Sequence, residues 1–145
     1  MTEIREATAG DVAAMFHVRV SVAQNAMNVD QLRARGITPQ SVAAALQSHC
    51  KAWVIEQNAK VVAFSIADAR AGSIWALFVL PEYEGLGYGR ALLTAAAEWL
   101  WERGFARIWL TTAPDTRAAA FYLHLGWRPT GVTPHGETRF ELSVT

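Results

Sequence analysis

Residues 81–93 read PEYEGLGYGRALL, with Gly85, Gly87 and Gly89 at alternate positions. Before them stands the fully apolar run IWALFVL (74–80), and after them Leu92, Leu93, Ala96 and Leu100 recur at helical spacing. A run without a polar face reads as a central strand covered on both sides. The chain therefore holds strand, glycine turn and helix in immediate succession. Glycine costs about 0.5–1 kcal/mol relative to alanine inside an element, so three in five positions imply a need for bare backbone. A helix start leaves several N–H groups without partners and carries roughly half a positive charge. Without Cβ atoms, an anion can approach those groups closely. The spacing excludes two familiar phosphate motifs. Arg90 stands where the third glycine of the dinucleotide fingerprint belongs, and no Lys-Ser or Lys-Thr follows as in a P-loop. On the glycines alone, an anion cradle and a tight turn without a ligand are equally good readings.

The remaining pattern predicts one domain over residues 1–145. Residues 2–7 read as a short strand. Thr8 to Asp11 resembles a capping box ahead of a helix that runs from about residue 9 into the low twenties. Residues 24–37 read as a loop or short broken helix, and Thr38-Pro39 opens another helix to about His49. Strands follow at 52–56 and 61–67 around a turn at residues 57–60, then at 74–80 and, beyond the long helix, at 106–112. Gly104 ends that long helix, and Gly126 ends a second one bearing Ala118, Phe121, Tyr122 and Leu125. Two weaker strands lie near 127–131 and 137–143. The order β-α-α-β-β-β-α-β-α-β-β predicts a mixed α/β (α+β) sheet with helices on both faces.

Composition narrows the function classes. Thirteen basic residues balance thirteen acidic ones, so no global charge points to nucleic acid or an anionic membrane. The longest fully apolar run is seven residues, well short of the ~20 that span a bilayer. The N-terminus is charged and mixed, unlike a signal peptide. A soluble, cytoplasmic protein is expected. Cys50 is the single cysteine, which allows neither an internal disulfide nor a thiolate metal cage; a buried structural thiol is expected.

Two segments resemble one family. EGLGYGRALL resembles the Gln/Arg-x-x-Gly-x-Gly/Ala signature of the GNAT superfamily of N-acetyltransferases, with Glu84, Gly87 and Gly89 at the signature positions. PDTRAAAFYLHLGW (114–127) is similar to the family's Asn-x-x-Ala-x-x-Phe-Tyr-x-x-x-Gly-Phe segment, and Ala118, Phe121, Tyr122 and Gly126 match it. The resemblance covers nearly the whole chain. It implies a mostly antiparallel sheet of six or seven strands that splays between strands 74–80 and 106–112. It also implies acetyl-CoA as cosubstrate, without a metal, lying in that gap. The pantetheine arm is expected along Phe78 and Val79. The pyrophosphate is expected at Glu84, Gly85, Leu86, Gly87, Tyr88 and Gly89, with Arg90, Asp115 and Arg117 near the CoA phosphates. Two positions depart from the signature. Glu84 replaces Gln or Arg and brings a carboxylate near a pyrophosphate. Asp115 replaces Asn, keeping the ability to cap a helix while losing a donor.

The implied reaction is direct acetyl transfer from a thioester to a primary amine of a small molecule or peptide. An alkylamine with a pKa of ~10.4 is neutral about once in 10³ molecules at pH 7, which adds ~4–5 kcal/mol unless a base or a dry site helps. Tyr122 is the family's thiolate partner by position; without the family it reads as a core aromatic. A tyrosine (~10) is a weaker acid than a thiol (~8.5), so a hydrogen bond that strengthens as the C–S bond breaks is the expected role. No carboxylate lies in strand 74–80, which leaves Asp68, Glu82, Glu137, His17 and His135 as base candidates, along with a water chain. The acceptor site is expected from residues 15–37 and 130–140, including Met15, Arg19, Asn25, Met27, Asn28, His135 and Glu137. Trp75 and Trp127 are expected in the core. No acidic cluster announces a polyamine. Two other readings remain: a catalytically silent CoA-binding module or sensor, favoured by Glu84 and the missing base, and a different nucleotide-binding domain. A homodimer through exposed C-terminal edge strands, common in the family, is compatible with the pattern.

Overall fold

A computed structural model describes residues 3–22 and 27–144. Seven strands form one sheet in the order β1-β2-β3-β4-β5-β7-β6. They are β1 (Glu3–Glu6), β2 (Cys50–Gln57), β3 (Lys60–Asp68), β4 (Ser73–Val79), β5 (Arg107–Thr112), β6 (Arg128–Val132) and β7 (Thr138–Ser143). Every neighbouring pair is antiparallel except β4 with β5. The helices are α1 (Val12–Ser21), α2 (Val29–Ala34), α3 (Pro39–Leu46), α4 (Tyr88–Glu102) and α5 (Arg117–His124). This is the expected order with one helix added, α2 in the stretch 24–37 that reads as a loop or short broken helix, and with α3 ending three residues short of His49.

Local chemistry explains the boundaries. Asp11 accepts the Thr8 backbone N–H at 2.7 Å and so closes the turn ahead of α1. The Asp11 carboxylate also pairs with Arg5, which bonds Glu56 on β2, so one guanidinium fastens the edge strand to its neighbour and to the first helix. Asn58 and Ala59 adopt positive φ in the two-residue loop between β2 and β3, the backbone that a tight hairpin requires. Gly104 and Gly126 follow α4 and α5 with φ of 97° and 91°.

The sheet is covered on both faces. From β3, Ser65 donates to the Leu92 carbonyl of α4 at 3.1 Å, while Phe64 and Ile66 look onto a cavity shared with Met15 and Phe16 of α1. Cys50 lies in the core as expected, and burial pushes its thiol up to about 11. The expectation for β4 needs correction. Ser73 and Ile74 are buried, but Trp75 is 45% exposed and residues 76–79 are only partly covered. β4 is central yet meets β5 at a single register pair, Ser73 with Trp109. Beyond that pair the strands part, and the apolar side chains of β4 face open clefts instead of a neighbour.

Candidate active site

The parting of β4 from β5 is set at one end. Trp109 donates its backbone N–H to the Gly72 carbonyl at 3.2 Å and its indole Nε1–H to the Ala71 carbonyl at 3.0 Å. From this fastening the seam opens toward the C-terminal end of β4. It becomes a cleft of about 520 Å³ lined by β4, the glycine turn, the ends of β5, and α5.

The glycine turn forms one wall. Gly85 and Gly87 have φ of 77° and 86°, the left-handed region that side chains avoid. A Cβ placed on Gly87 would meet no atom within 4 Å, so the space beside it belongs to the cleft. Gly89 is different: it lies in the first turn of α4, and a Cβ there would sit 3.6 Å from Phe121, an ordinary contact. The first two glycines are required by backbone shape, whereas the third position has room for alanine. Helices α2, α3 and α5 begin on Asn28, Thr38 and Thr116, whose side-chain oxygens accept first-turn N–H groups at 2.8, 3.0 and 3.2 Å. α4 is the longest helix among the described residues and begins on Gly87, which has no side chain to offer. No side chain caps its first turn, and the positive end of its dipole lies at the cleft. A bare backbone concavity at a helix start, with Arg90 and Arg117 on the lining, fits a diphosphate.

Of the expected cofactor residues, Phe78, Val79, Glu84, Gly85, Gly87, Tyr88, Gly89, Arg90 and Arg117 line this cleft together with Tyr122. Leu86 and Asp115 do not; Leu86 is 60% exposed. The capping role expected of Asp115 belongs to Thr116. Asp115 has a φ of 58°, which turns the chain into α5, and the Thr116 hydroxyl caps the helix while also donating to the Ala113 carbonyl. The carboxylate of Glu84 is met by Arg117, with Nη1 to Oε2 at 2.8 Å. That pair ties the glycine turn to α5 and offsets the negative charge that Glu84 brings beside a diphosphate. Tyr122 is 5% exposed among Phe121, Trp127 and Phe140, and burial alone raises its phenol well above the ordinary value near 10. Burial thus holds the phenol in its neutral form.

A second cavity of about 360 Å³ opens on the α1 face. Met15, Arg19, Met27, His135 and Glu137 line it as expected. Asn28 does not, because its side chain is engaged in capping α2; Asn25 lies outside the described residues. Trp127 is core, but Trp75 is not: it lines both cavities. The two cavities share Trp75, Ala76, Phe78 and Thr111. Among the base candidates, His135 and Glu137 line the second cavity, whereas Asp68, Glu82 and His17 line neither. Asp68 instead clusters with His49 and Cys50, their donor atoms within 4.8 Å of one another. Arg35, also on the second cavity, has no distinguishing mark in the sequence because it ends a short polar stretch and resembles any surface charge.

The fold is that of a known N-acetyltransferase. The structure of PaiA N-acetyltransferase from Thermoplasma acidophilum, in complex with coenzyme A, superposes with a TM-score of 0.82 at 15% identity over 99% of each chain. Sequence similarity leads directly to the same family. Residues 23–127 match the model of the acetyltransferase (GNAT) family, and the chain belongs to that family. It is 36% identical over 76 residues to the [ribosomal protein bS18]-alanine N-acetyltransferase of Escherichia coli, covering 50% of this chain and 51% of that one. It is 40% identical over 68 residues to the mycothiol acetyltransferase of Beutenbergia cavernae, covering 46% of this chain and 23% of that one. The matches thus span about half or less of these relatives. No helix among the described residues is long and apolar enough to cross a membrane.

Proposed function

We propose that the chain is an N-acetyltransferase that moves an acetyl group from acetyl-CoA to a primary amine of a small molecule or peptide, by direct attack in a ternary complex. One observation carries the reading: the cleft with the open helix start and the second cavity meet at Trp75, Ala76, Phe78 and Thr111. Two ligands entering from opposite sides would bring their reactive ends together there.

Acetyl-CoA supplies an activated acyl group as a thioester. The glycine turn and the first N–H groups of α4 hold its diphosphate, and the partly uncovered stretch of β4 holds its arm. Attack forms a C–N bond and breaks a C–S bond, and the proton lost from nitrogen ends on sulfur. Glu137 or His135, directly or through water, takes the amine proton. Tyr122 donates a hydrogen bond to the sulfur as it gains charge. The silent-module reading leaned on Glu84 and on the missing base. Glu84 is paired with Arg117, and two base candidates stand at the acceptor cavity. We take residues 1–145 as one acetyltransferase domain working in the cytoplasm. The outermost strand β6, exposed throughout, is the edge through which two copies would associate.

Thermal unfolding with CoA, acetyl-CoA, ATP and NAD in parallel tests this. A ligand at 100 times its Kd stabilises by about 2.7 kcal/mol, which moves the midpoint by several degrees. A shift with CoA and acetyl-CoA alone is expected. No shift at millimolar CoA would remove the reading.

A further inference from the structure

At the fastened end of the sheet, three chemically different donors converge. They are His49 in the turn after α3, Cys50 at the start of β2 and Asp68 at the end of β3, with their ligand atoms within 4.8 Å of one another. None of the three lines either cavity described above. The backbone fixes the arrangement. Cys50 and Asp68 are register partners, and directly opposite residues of an antiparallel pair carry their Cβ atoms about 4.5–5.5 Å apart on one face. The Ala69 N–H donates to the His49 carbonyl at 2.8 Å, which extends the pairing past the strand ends and ties His49 to the same hairpin.

Each donor has local support. Asp68 accepts the Arg70 backbone N–H on Oδ1 at 2.8 Å, which orients the carboxylate, and a carboxylate has lone pairs to spare for a cation. Ser48 Oγ lies 3.3 Å from Nδ1 of His49 and gives the ring a second partner. Burial, and then the charge of Asp68, push the Cys50 thiol up to about 11. A divalent cation answers both: it drives the thiol proton into water and balances the carboxylate. The charge of Arg70 also reaches Cys50, but that side chain is exposed and screened by solvent. The donor set selects the cation. A thiolate is too soft for Mg²⁺ or Ca²⁺, whereas sulfur, imidazole and carboxylate are all ligands of zinc. Zinc bonds of about 2.0–2.3 Å in a tetrahedron put ligand atoms roughly 3.5 Å apart. Closing to that spacing asks for movement on the order of 1 Å, and His49 and Asp68 are half-buried, at the surface, where such movement meets least resistance.

We infer that His49, Cys50 and Asp68 bind one divalent cation of the zinc class, with water in its fourth position. The single cysteine excludes a thiolate cage but not this mixed set. The cation joins the turn between α3 and β2 to the turn between β3 and β4. The latter carries the Ala71 and Gly72 carbonyls that fasten Trp109, so the site braces the end of the seam from which the cleft opens.

Titration of the metal-free, reduced protein with Co²⁺ tests this, because a cobalt–thiolate bond adds a charge-transfer band in the near ultraviolet. The band is expected to saturate at one equivalent and to vanish when Zn²⁺, the tighter binder of the two, displaces the cobalt. Cys50→Ser is expected to abolish it. Asp68→Asn keeps the acceptor for the Arg70 N–H, and His49→Gln changes a half-buried side chain. Each is expected to weaken Co²⁺ binding about tenfold or more, through loss of one of three protein ligands. Circular dichroism verifies the folding of every variant. Absence of the band, or a Co²⁺ affinity unchanged in either Asp68→Asn or His49→Gln, would overturn the inference.

Discussion

Helices α4 and α5 both begin on the cleft between β4 and β5, yet their starts are built in opposite ways. α5 is eight residues long and closed from within: Thr116 accepts the Ala119 N–H, and the helix brings the side chain of Tyr122 to the cleft. α4 is fifteen residues long, starts on Gly87 in the left-handed region, and brings bare backbone. A helix that satisfies its own first turn has nothing left to give an anion. One that leaves its first turn open holds an electrostatic site without any charged side chain. On the proposed function, the difference separates a helix that would supply chemistry from one that would supply binding.

The contrast is most severely exposed to change at Gly87. Gly87→Glu puts a carboxylate and side-chain bulk into the open start, and CoA affinity is expected to fall beyond measurement, at least 100-fold by calorimetry. Unchanged affinity in a folded variant would mean that the open start binds nothing. Next is Tyr122→Phe, which removes the only polar atom of that side chain from the cleft. A fall in kcat of about 10²-fold is expected from loss of one such donor, with acetyl-CoA affinity little altered. If kcat holds while chemistry limits the rate, Tyr122 is packing and α5 brings no chemistry. The smallest effects concern stability. Thr116→Ala should cost about 1 kcal/mol by chemical denaturation, the usual loss for a removed cap. Gly89→Ala should be neutral or stabilising by up to about 1 kcal/mol, because its Cβ finds ordinary contacts and glycine is the poorer helix former. A large loss at Gly89 would show that the third glycine is needed for more than its place in the family's signature.

The element order and the glycine turn are legible in the sequence because both are local. Periodicity marks strands and helices, and glycines at 85, 87 and 89 have no good use except where backbone must bend or be approached. Burial along β4 is not legible. IWALFVL reads the same whether its side chains meet a neighbouring strand or an open cleft, and only the pairing of β5 with β7 and β4 decides which. Trp75 lies outside the core for that reason. Glu84 looks out of place in the sequence because its partner Arg117 is 33 residues away, beyond any local pattern. Thr116 carries a usable signal, since threonine three positions before Ala119 is a serviceable cap. The family's own asparagine at position 115 draws attention one residue too early. Arg35 carries no signal until the fold sets it on the same cavity as Glu137.

The single point of contact between β4 and β5 also bears on how the molecule comes apart. β1 to β4 form one hydrogen-bonded ladder and β5, β7 and β6 another, joined as a sheet only where Ser73 meets Trp109. α4 packs across the join, against β2, β3, β4 and β5, and so does the bridging that backbone pairing does not. We expect such a chain to open as two cooperative units sharing one helix, with opening free energies that need not be equal. A ligand wedged in the seam would touch both, so its binding free energy would appear as coupling between them. With the seam empty, amide protons of β5 to β7 are expected to exchange independently of those in β1 to β3; with it filled, the two halves should exchange as one.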